Sequence, residues 1–547
     1  MPGALADGVH IAGTLARAGM LRPARPDRAL RALSGLIRWG PGLAAGYLGA
    51  AALYPDEPAI IDELGTLTFA EVEARSNAIA RGLAGYGVSE GDGVAILCRN
   101  HRWFVKASLA CAKLGANAIY LNTSFAGPQV SEVVARERTA AIVYDAEFAA
   151  DVAPATERHA GFVAFTEPES PAASMSDARS PGPRRAPTLQ ELIDSRSSDP
   201  LPPPAQPGRT IILTSGTTGS PKGANRAAPS SLQPVAALLS AIPLHSRENT
   251  VIAAPLFHSW GFAHMLFGAG LASTLVLQRR FDPEDTLRAV AEHRPTALIV
   301  VPVMLQRILD LPAETIARYG TGALRVIGAS GSALPGSLAQ RVMDTFGDTL
   351  YNLYGSTEVA WATIASPADL RAAPGTAGRP PRGTVVRILG PDSKELPAGK
   401  SGRIFVGNDL LFEGYTGGGD KARVGELMAT GDVGYFDGAG RLFIDGRDDD
   451  MIVSGGENVF PAEVEDLLAG VPGVNEVAVI GVSDEDFGQR LRAYVALEPG
   501  AELTEAELKD HVRGHLARFK IPREIVFVDE LPRNATGKVL KRSLARY

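Results

Sequence analysis

Between Pro58 and about Asp145, short runs rich in β-branched and small apolar residues (VAILC, ANAIYLN, AAIVYD) alternate with helix-like stretches such as FAEVEARSNAIARGLAGY and FVKASLACAKLG. That alternation describes parallel α/β units, because two parallel strands need a crossover long enough to hold a helix. The pattern resumes in TALIVVPVMLQRIL and LRVIGAS, and GYFDGAGRLFIDGR reads as a hairpin turned at Asp437 and Gly438. Toward the C-terminus, VNEVAVIGVSD, LRAYVAL and EIVFVDE with an intervening helix suffice for a small separate α+β domain. A chain of 547 residues also exceeds what one hydrophobic core usually serves, so at least two domains are expected.

The formal net charge of -7 argues against a nucleic-acid partner, since backbone binding rests on clustered Lys and Arg. Cys98 and Cys111 make no disulfide framework. They could pair, but a reducing compartment with two free buried thiols is the preferred reading. The uncharged run Trp39 to Leu53 is too short to span a membrane and is broken by Pro41 and several glycines. Arginines spread from Arg17 to Arg38 ahead of a weak apolar stretch do not make a signal peptide, so a cytoplasmic location is expected.

From Arg28 to Arg38, helical spacing puts Leu30, Leu33, Leu36 and Ile37 on one side and Arg28, Arg31 and Arg38 on the other. This basic amphipathic helix, within residues 22–40, either lies on the protein's own surface or forms a peripheral membrane patch. Residues Glu167 to Arg209 turn to Pro, Ser, Ala and Arg, ending in LPPPAQPG, and read as an irregular surface excursion or linker.

The sharpest chemical signal is IILTSGTTGSPKG, where an apolar strand end gives way to glycines, hydroxyls and a lysine. Glycines let backbone N–H groups converge on an anion, hydroxyls add donors and Lys222 adds charge, which suits a triphosphate. It is not a Walker A loop, because Pro221 and Gly223 flank the lysine where Gly and Ser or Thr would be required.

TSGTTGSPKG resembles the signature loop of the adenylate-forming superfamily, which contains acyl-CoA synthetases, nonribosomal peptide adenylation domains and firefly-type luciferases. The resemblance runs from about Tyr54 to Lys541, with further motifs in the family's order. It implies a large N-terminal multi-sheet α/β domain (residues 1–447) and a small mobile C-terminal α+β domain (448–547). It implies activation of a carboxylic acid by ATP with Mg2+, then transfer to CoA.

By this resemblance Thr214, Ser215, Gly216, Thr217, Thr218, Gly219 and Lys222 hold ATP phosphates, with Thr218 among the catalytic groups. In YGSTE, Tyr354 lies against adenine, Gly355 belongs to the same turn, Thr357 reaches the α-phosphate and Glu358 holds the metal. Asn352 just upstream belongs to the same nucleotide site. IGASGSALP resembles the adenine-pocket loop through Gly331, Ser332 and Ala333, although Leu334 and Pro335 reverse the family's usual order. Asp432 in TGD and Arg447 in DGRDDD answer to the ribose contacts, and Asp449 to the hinge. Lys538 in PRNATGKVLK answers to the lysine that bridges carboxylate and α-phosphate, where fixed positive charge stabilises the adenylation transition state. Gly455 and Gly456 would line the pantetheine tunnel, and Phe519 and Arg523 would face the CoA nucleotide.

PLFHSWGF resembles the segment beside the acyl pocket. A carboxylic acid is already ionised at neutral pH, so His258 and Trp260 are read as wall or gate and not as a base. The basic amphipathic helix suits collection of lipophilic acids from a bilayer, which points to medium- or long-chain fatty acids. Only nine residues follow Lys538, so a diffusible thiol such as CoA is preferred over a fused carrier. An acyl-AMP ligase serving a separate carrier protein and a non-enzymatic nucleotide- or lipid-binding protein stay open as alternatives. A homodimer is compatible with all three.

Overall fold

The computed structural model describes residues 2–167, 186–214, 222–226, 231–448, 451–454, 457–484, 488–534 and 537–544. The chain forms two compact units: Met1–Ile299 with Ala317–Val326 and Leu410–Asp420, and Val300–Ile316 with Ile327–Asp409 and Lys421–Tyr547.

In the first unit a six-stranded sheet runs in the order Ala160–Val163, Thr139–Tyr144, Gly93–Leu97, Asn117–Tyr120, Thr210–Thr214, Lys222–Arg226. All neighbours are parallel except the last pair. Every residue of Gly93–Leu97 is buried, as a parallel strand covered on both faces must be. The helices Phe69–Gly85 and Arg102–Leu114 precede and follow that strand in the chain. The first of them starts at a reciprocal capping box, in which the Thr68 hydroxyl accepts from the Glu71 N–H (3.2 Å) and the Glu71 carboxylate accepts from the Thr68 N–H (2.9 Å). A further set of strands in this unit runs Ala297–Val300, Asn249–Ile252, Thr274–Leu277, Pro58–Asp62, Gly65–Thr68.

Part of the Pro-rich excursion departs from the linker expected for it. Residues 189–195 form a helix with its own Thr188/Glu191 capping box. Leu192 packs where a Cβ on Gly82 would come within 2.8 Å of it. The strap beyond is tied down because Asn77 donates to the Ser198 carbonyl (3.0 Å) and Arg81 to that of Ser197 (3.0 Å). Composition predicted irregularity; a capped helix with one leucine pointing into a glycine notch proved enough for order.

The basic amphipathic helix spans Pro26–Trp39, with proline at its first position and Gly40, at φ +69, closing it. Its contact with the following helix, Leu43–Leu53, uses small residues: Gly35 is buried, a Cβ there would lie 2.3 Å from the Leu48 side chain, and Arg28 donates to the Leu53 carbonyl (3.0 Å). Leu30, Leu33, Leu36 and Ile37 point outward, away from that contact. The uncharged run after Trp39 is the short helix Leu43–Leu53, and no helix of the described residues is long and apolar enough to cross a membrane.

Cys98 and Cys111 are both free and buried, and burial pushes the Cys111 thiol up to about 12. His264 in helix Ser259–Leu271 is also buried; its Nδ1–H donates to the Trp260 carbonyl (3.1 Å) and its Nε2 has no partner among the described residues. Burial drives its pKa from 6.5 to about 4. Between those values the unfolded chain binds more protons than the folded one, so stability falls as pH drops from 6.5 toward 4, by at most about 3 kcal/mol. Urea midpoints at pH 7 and pH 4.5 are expected to differ less in His264→Leu than in the wild type, and equal differences would refute this assignment.

In the second unit, strands Val385–Leu389, Gly402–Gly407, Leu427–Phe436 and Arg423–Val424 form one antiparallel sheet, with Leu442–Arg447 also pairing to Leu427–Phe436. The hairpin is closed by residues 437–441 and not by a two-residue turn at Asp437 and Gly438. The Asp437 carboxylate accepts from the Ala439 N–H (2.9 Å), the Arg441 N–H (2.8 Å) and the Arg441 guanidinium (2.8 Å), and these contacts hold the wider loop. The C-terminal sheet orders Glu457–Val459, Ile452–Ser454, Gly488–Leu497, Val474–Asp484, with Glu524–Phe527 parallel to Gly488–Leu497. Helices Pro461–Ala469 and Glu505–His515 supply Val464, Leu468, Leu508 and Val512 to its core.

Candidate functional site

The glycine- and hydroxyl-rich loop is the connection of a hairpin, since Thr214 pairs with Lys222 across Thr210–Thr214 and Lys222–Arg226. Ser215, Gly216, Thr217, Thr218 and Gly219 lie outside the described residues. Lys222 is exposed, with Nζ 5.4 Å from the centre of the Tyr415 ring. Segment Leu410–Asp420 braces the hairpin within the same unit: the Thr416 N–H donates to the Gly223 carbonyl (2.9 Å), and the Thr416 hydroxyl donates to Glu137 (2.6 Å). A Cβ on Gly223 would approach Thr416 Oγ1 to 2.6 Å and Ile211 Cγ2 to 2.8 Å, so the position requires glycine. Tyr415, Thr416 and Glu137 carry no motif, because they reach strand Lys222–Arg226 only through this long-range packing.

Also in the first unit, His258 is the half-buried N-cap residue of helix Ser259–Leu271. Trp260 is buried and meets His264 edge-on at 4.1 Å. Asn100 fixes the strand exit that leads to them: it donates to the Ala254 carbonyl (2.9 Å) and accepts from the Leu256 N–H (2.8 Å). A Cβ on Gly261 would lie 2.2 Å from the Pro255 carbonyl oxygen, so the helix starts hard against that turn.

The second unit contains residues from five separate motifs. Strand Leu350–Tyr354 carries buried Asn352 and ends in Tyr354; parallel to it, Val326–Ala329 leads into Ser330, Gly331 (φ +95), Ser332 and Ala333. At Gly355 the chain doubles back so closely that a Cβ would meet the Ala360 carbonyl oxygen at 2.2 Å. The turn beyond is organised by the Ser356 hydroxyl, which accepts from the Glu358 N–H (3.2 Å), and by Asn408, which donates to the carbonyls of Val359 and Trp361 (2.9 Å each). Thr357 is half-buried and Glu358 is buried, at 8% exposure.

The Tyr354 hydroxyl donates to Asp432 Oδ2 at 2.5 Å, and Arg447 approaches Oδ1 of the same carboxylate at 3.4 Å. The ladder fixes this, because Asp432 and Arg447 are directly paired across the hairpin. Burial raises the Asp432 pKa above the usual carboxylate range, opposed by the Tyr354 hydrogen bond and by the charges of Arg447, Lys538 and Lys421. Burial, then Asp432, hold the Tyr354 hydroxyl well above its ordinary value, so it stays a donor. A buried carboxylate flanked by cations and kept in one orientation is suited to accepting two hydrogen bonds from a diol.

Lys538 extends, exposed, from a tight loop in which its N–H donates to the Asn534 side chain (2.9 Å) and its carbonyl accepts from the Asn534 N–H (2.9 Å). Arg533 clamps this loop by donating to the Gly537 carbonyl (2.6 Å) and to Glu476 (2.7 Å). Gly537, at φ +77, rests on helix Pro302–Leu309, where an added Cβ would fall 2.3 Å from Val303 Cγ1. Nearby, Gln306 of the same helix donates to Asn475 (3.0 Å). Val303, Gln306 and Asn475 carry no motif and become visible only in the fold.

Phe519 is exposed in the short turn Arg518–Lys520, and the Arg523 N–H donates to the Leu491 carbonyl (2.9 Å). Asp449, Gly455 and Gly456 lie outside the described residues. Among the described residues no group of three or more His, Cys, Asp or Glu could hold a metal. One buried carboxylate, Glu358, fits Mg2+ bound mainly through substrate phosphates, the usual manner for nucleotide-associated magnesium.

A profile described as AMP-binding enzyme matches residues 49–416, and one described as AMP-binding enzyme C-terminal domain matches residues 463–538. The indoleacetate–CoA ligase of Aromatoleum aromaticum is 32% identical over 511 residues, covering 90% of this chain and 95% of that protein. The long-chain-fatty-acid–CoA ligase FadD13 of Mycobacterium tuberculosis is 31% identical over 486 residues, covering 87% and 92%. Among solved structures, the anthranilate CoA ligase AuaEII in complex with anthranoyl-AMP matches with a TM-score of 0.81 at 25% identity, covering 92% of this chain and 97% of that one.

Proposed function

The chain belongs to the AMP-binding enzymes, and from that premise we propose that it is an ATP- and Mg2+-dependent acyl-CoA ligase acting on medium- or long-chain fatty acids. The observation that carries the adenylation chemistry is the buried Asp432, held by Tyr354 and Arg447 within one compact unit that also contains Lys538.

In this reading Asp432 accepts from both ribose hydroxyls, and Tyr354 keeps its carboxylate in place while presenting its ring to adenine. Asn352, Gly331, Ser332 and Ala333 complete the adenine side. The loop from Thr214 to Lys222 holds the β- and γ-phosphates, and Glu358 holds Mg2+, which would neutralise phosphate charge. The substrate carboxylate oxygen attacks the α-phosphorus, forming the new P–O bond as the bond to pyrophosphate breaks. Lys538, joined by Thr218 and Thr357, stabilises the charge that builds on the α-phosphate. In the second step the CoA sulfur attacks the acyl carbonyl, and AMP leaves. For that step we propose that residues 448–547 turn about Asp449, bringing Gly455 and Gly456 to the pantetheine arm and Phe519 and Arg523 to the CoA nucleotide.

Support for a lipophilic acid comes from the fatty-acid ligase relative and from the outward leucines of helix Pro26–Trp39, through which residues 22–40 would give a peripheral bilayer contact. His258 and Trp260 form wall and gate of the acyl pocket in the same reading. Carboxylate-dependent ATP–pyrophosphate exchange across acids from acetate to oleate, with indoleacetate and ferulate alongside, tests the choice. Preference for long acids, with thioester and AMP appearing once CoA is added, is the expected result. Preference for the aryl acids would overturn the fatty-acid assignment and leave the ligase chemistry standing.

Asp432→Ala is expected to raise the KM for ATP by about ten- to a hundredfold, the worth of hydrogen bonds to a charged group. Initial rates at varied ATP check this, and an unchanged KM would remove Asp432 from the nucleotide site.

A further inference from the structure

Helix Pro26–Trp39 is an amphipathic helix turned inside out. Its inner face is Arg28, Ala32, Gly35 and Trp39, all buried or half-buried, while Leu30, Leu33, Leu36 and Ile37 are exposed by 67%, 53%, 37% and 74%. A helix resting on its own protein normally buries its large apolar residues, because each contributes about 1.5–3 kcal/mol when removed from water. Here packing runs through glycine and alanine, and four large side chains stay in solvent. Single exposed apolar residues are ordinary; a contiguous row along a well-formed helix marks a docking surface.

The charge around this row selects the occupant. Residues 22–40 contain five arginines and a single acidic residue, Asp27, in a chain whose net charge is -7. Asp27 is already paired with Arg25 (3.2 Å) and Arg31 (3.3 Å). A second copy of this acidic chain would have to bring matching basic patches together across a two-fold axis. An anionic bilayer instead supplies negative headgroups to the arginines and an acyl boundary to the leucines.

We infer that helix Pro26–Trp39 docks flat on an anionic lipid surface through Leu30, Leu33, Leu36 and Ile37, with Arg22, Arg31 and Arg38 at the headgroups. This rests on the proposed peripheral contact and names its residues, orientation and lipid class; it does not depend on which acid the enzyme activates.

Co-sedimentation of the full chain with phosphatidylcholine vesicles, with and without phosphatidylglycerol, tests it. Binding to the mixed vesicles is expected, weakened by added salt and by at least about tenfold in the Leu30→Asp/Ile37→Asp double variant. Both positions are exposed, so the double variant should fold, which ATP–pyrophosphate exchange at the wild-type rate with a soluble acid would verify. Equal sedimentation of wild type and variant, or none with either vesicle, overturns the inference. So does light scattering that finds a vesicle-free dimer which the variant converts to monomer, because the face would then belong to a second copy. Absence of exchange with every acid would sink the ligase reading while leaving vesicle binding to stand or fall alone.

Discussion

Lys538→Ala is expected to slow carboxylate-dependent ATP–pyrophosphate exchange by about a hundred- to a thousandfold, the usual cost of removing one preorganised donor from a developing oxyanion. Thioester formation from a preformed acyl-adenylate and CoA should proceed at nearly the wild-type rate, because that step forms no new bond at phosphorus. Lys538 is exposed and its loop is fixed by contacts of its own backbone with the Asn534 backbone and side chain and by the Arg533 clamp, so truncation of the lysine side chain should leave the loop in place. Measuring both half-reactions on one preparation separates the outcomes. Loss of both would indicate a folding defect, and loss of neither would remove Lys538 from the chemistry.

Gly537→Ala should reproduce much of that defect without touching the lysine. The position has φ +77, where a side chain is strained, and its added Cβ would sit 2.3 Å from Val303 Cγ1. A strained backbone and a displaced β-branched neighbour together cost about 1–3 kcal/mol, which lowers exchange by roughly ten- to a hundredfold if the loop must rest on helix Pro302–Leu309 to adenylate. Thioester formation from the adenylate should again be spared. Combining Gly537→Ala with Val303→Ala should recover part of the loss, since the clash is removed and the φ strain is not. A double variant no better than the single one would show that Val303 is not what the glycine accommodates.

Much of this molecule was legible along the chain because the relevant signals are local. Alternating strand and helix periods gave the parallel units, and the run from Thr214 to Gly223 marked by composition alone the end of an apolar strand, which the structure pairs with Lys222–Arg226 in a hairpin. Asp432 and Arg447 were named only through the family resemblance of TGD and DGRDDD, and the hairpin between them could be drawn, though its loop came out too short. A carboxylate that accepts several bonds from inside its own turn, as Asp437 does, stabilises a longer connection than glycine content suggests. The helix at 189–195 was missed because a Pro- and Ser-rich composition averages over a seven-residue segment whose Thr188 and Glu191 form a capping box.

Other parts of the site could not be read in that way. Tyr354 and Asp432 are separated by 78 positions, and nothing in either motif says that a hydroxyl of one will hold the carboxylate of the other. Likewise, Gly537 and Val303 meet only because the C-terminal loop folds back on a helix far upstream.

The sequence by itself determined the parallel α/β units and that residues 28–38 make a helix with one apolar side. Tertiary structure alone decided which side of that helix meets the protein. Periodicity reports that polarity is segregated, but contact is settled by shape, and the closest fit for helix Leu43–Leu53 was the narrow stripe of Ala32 and Gly35. The leucines were left outside because a flat glycine face permits an approach that their bulk would prevent.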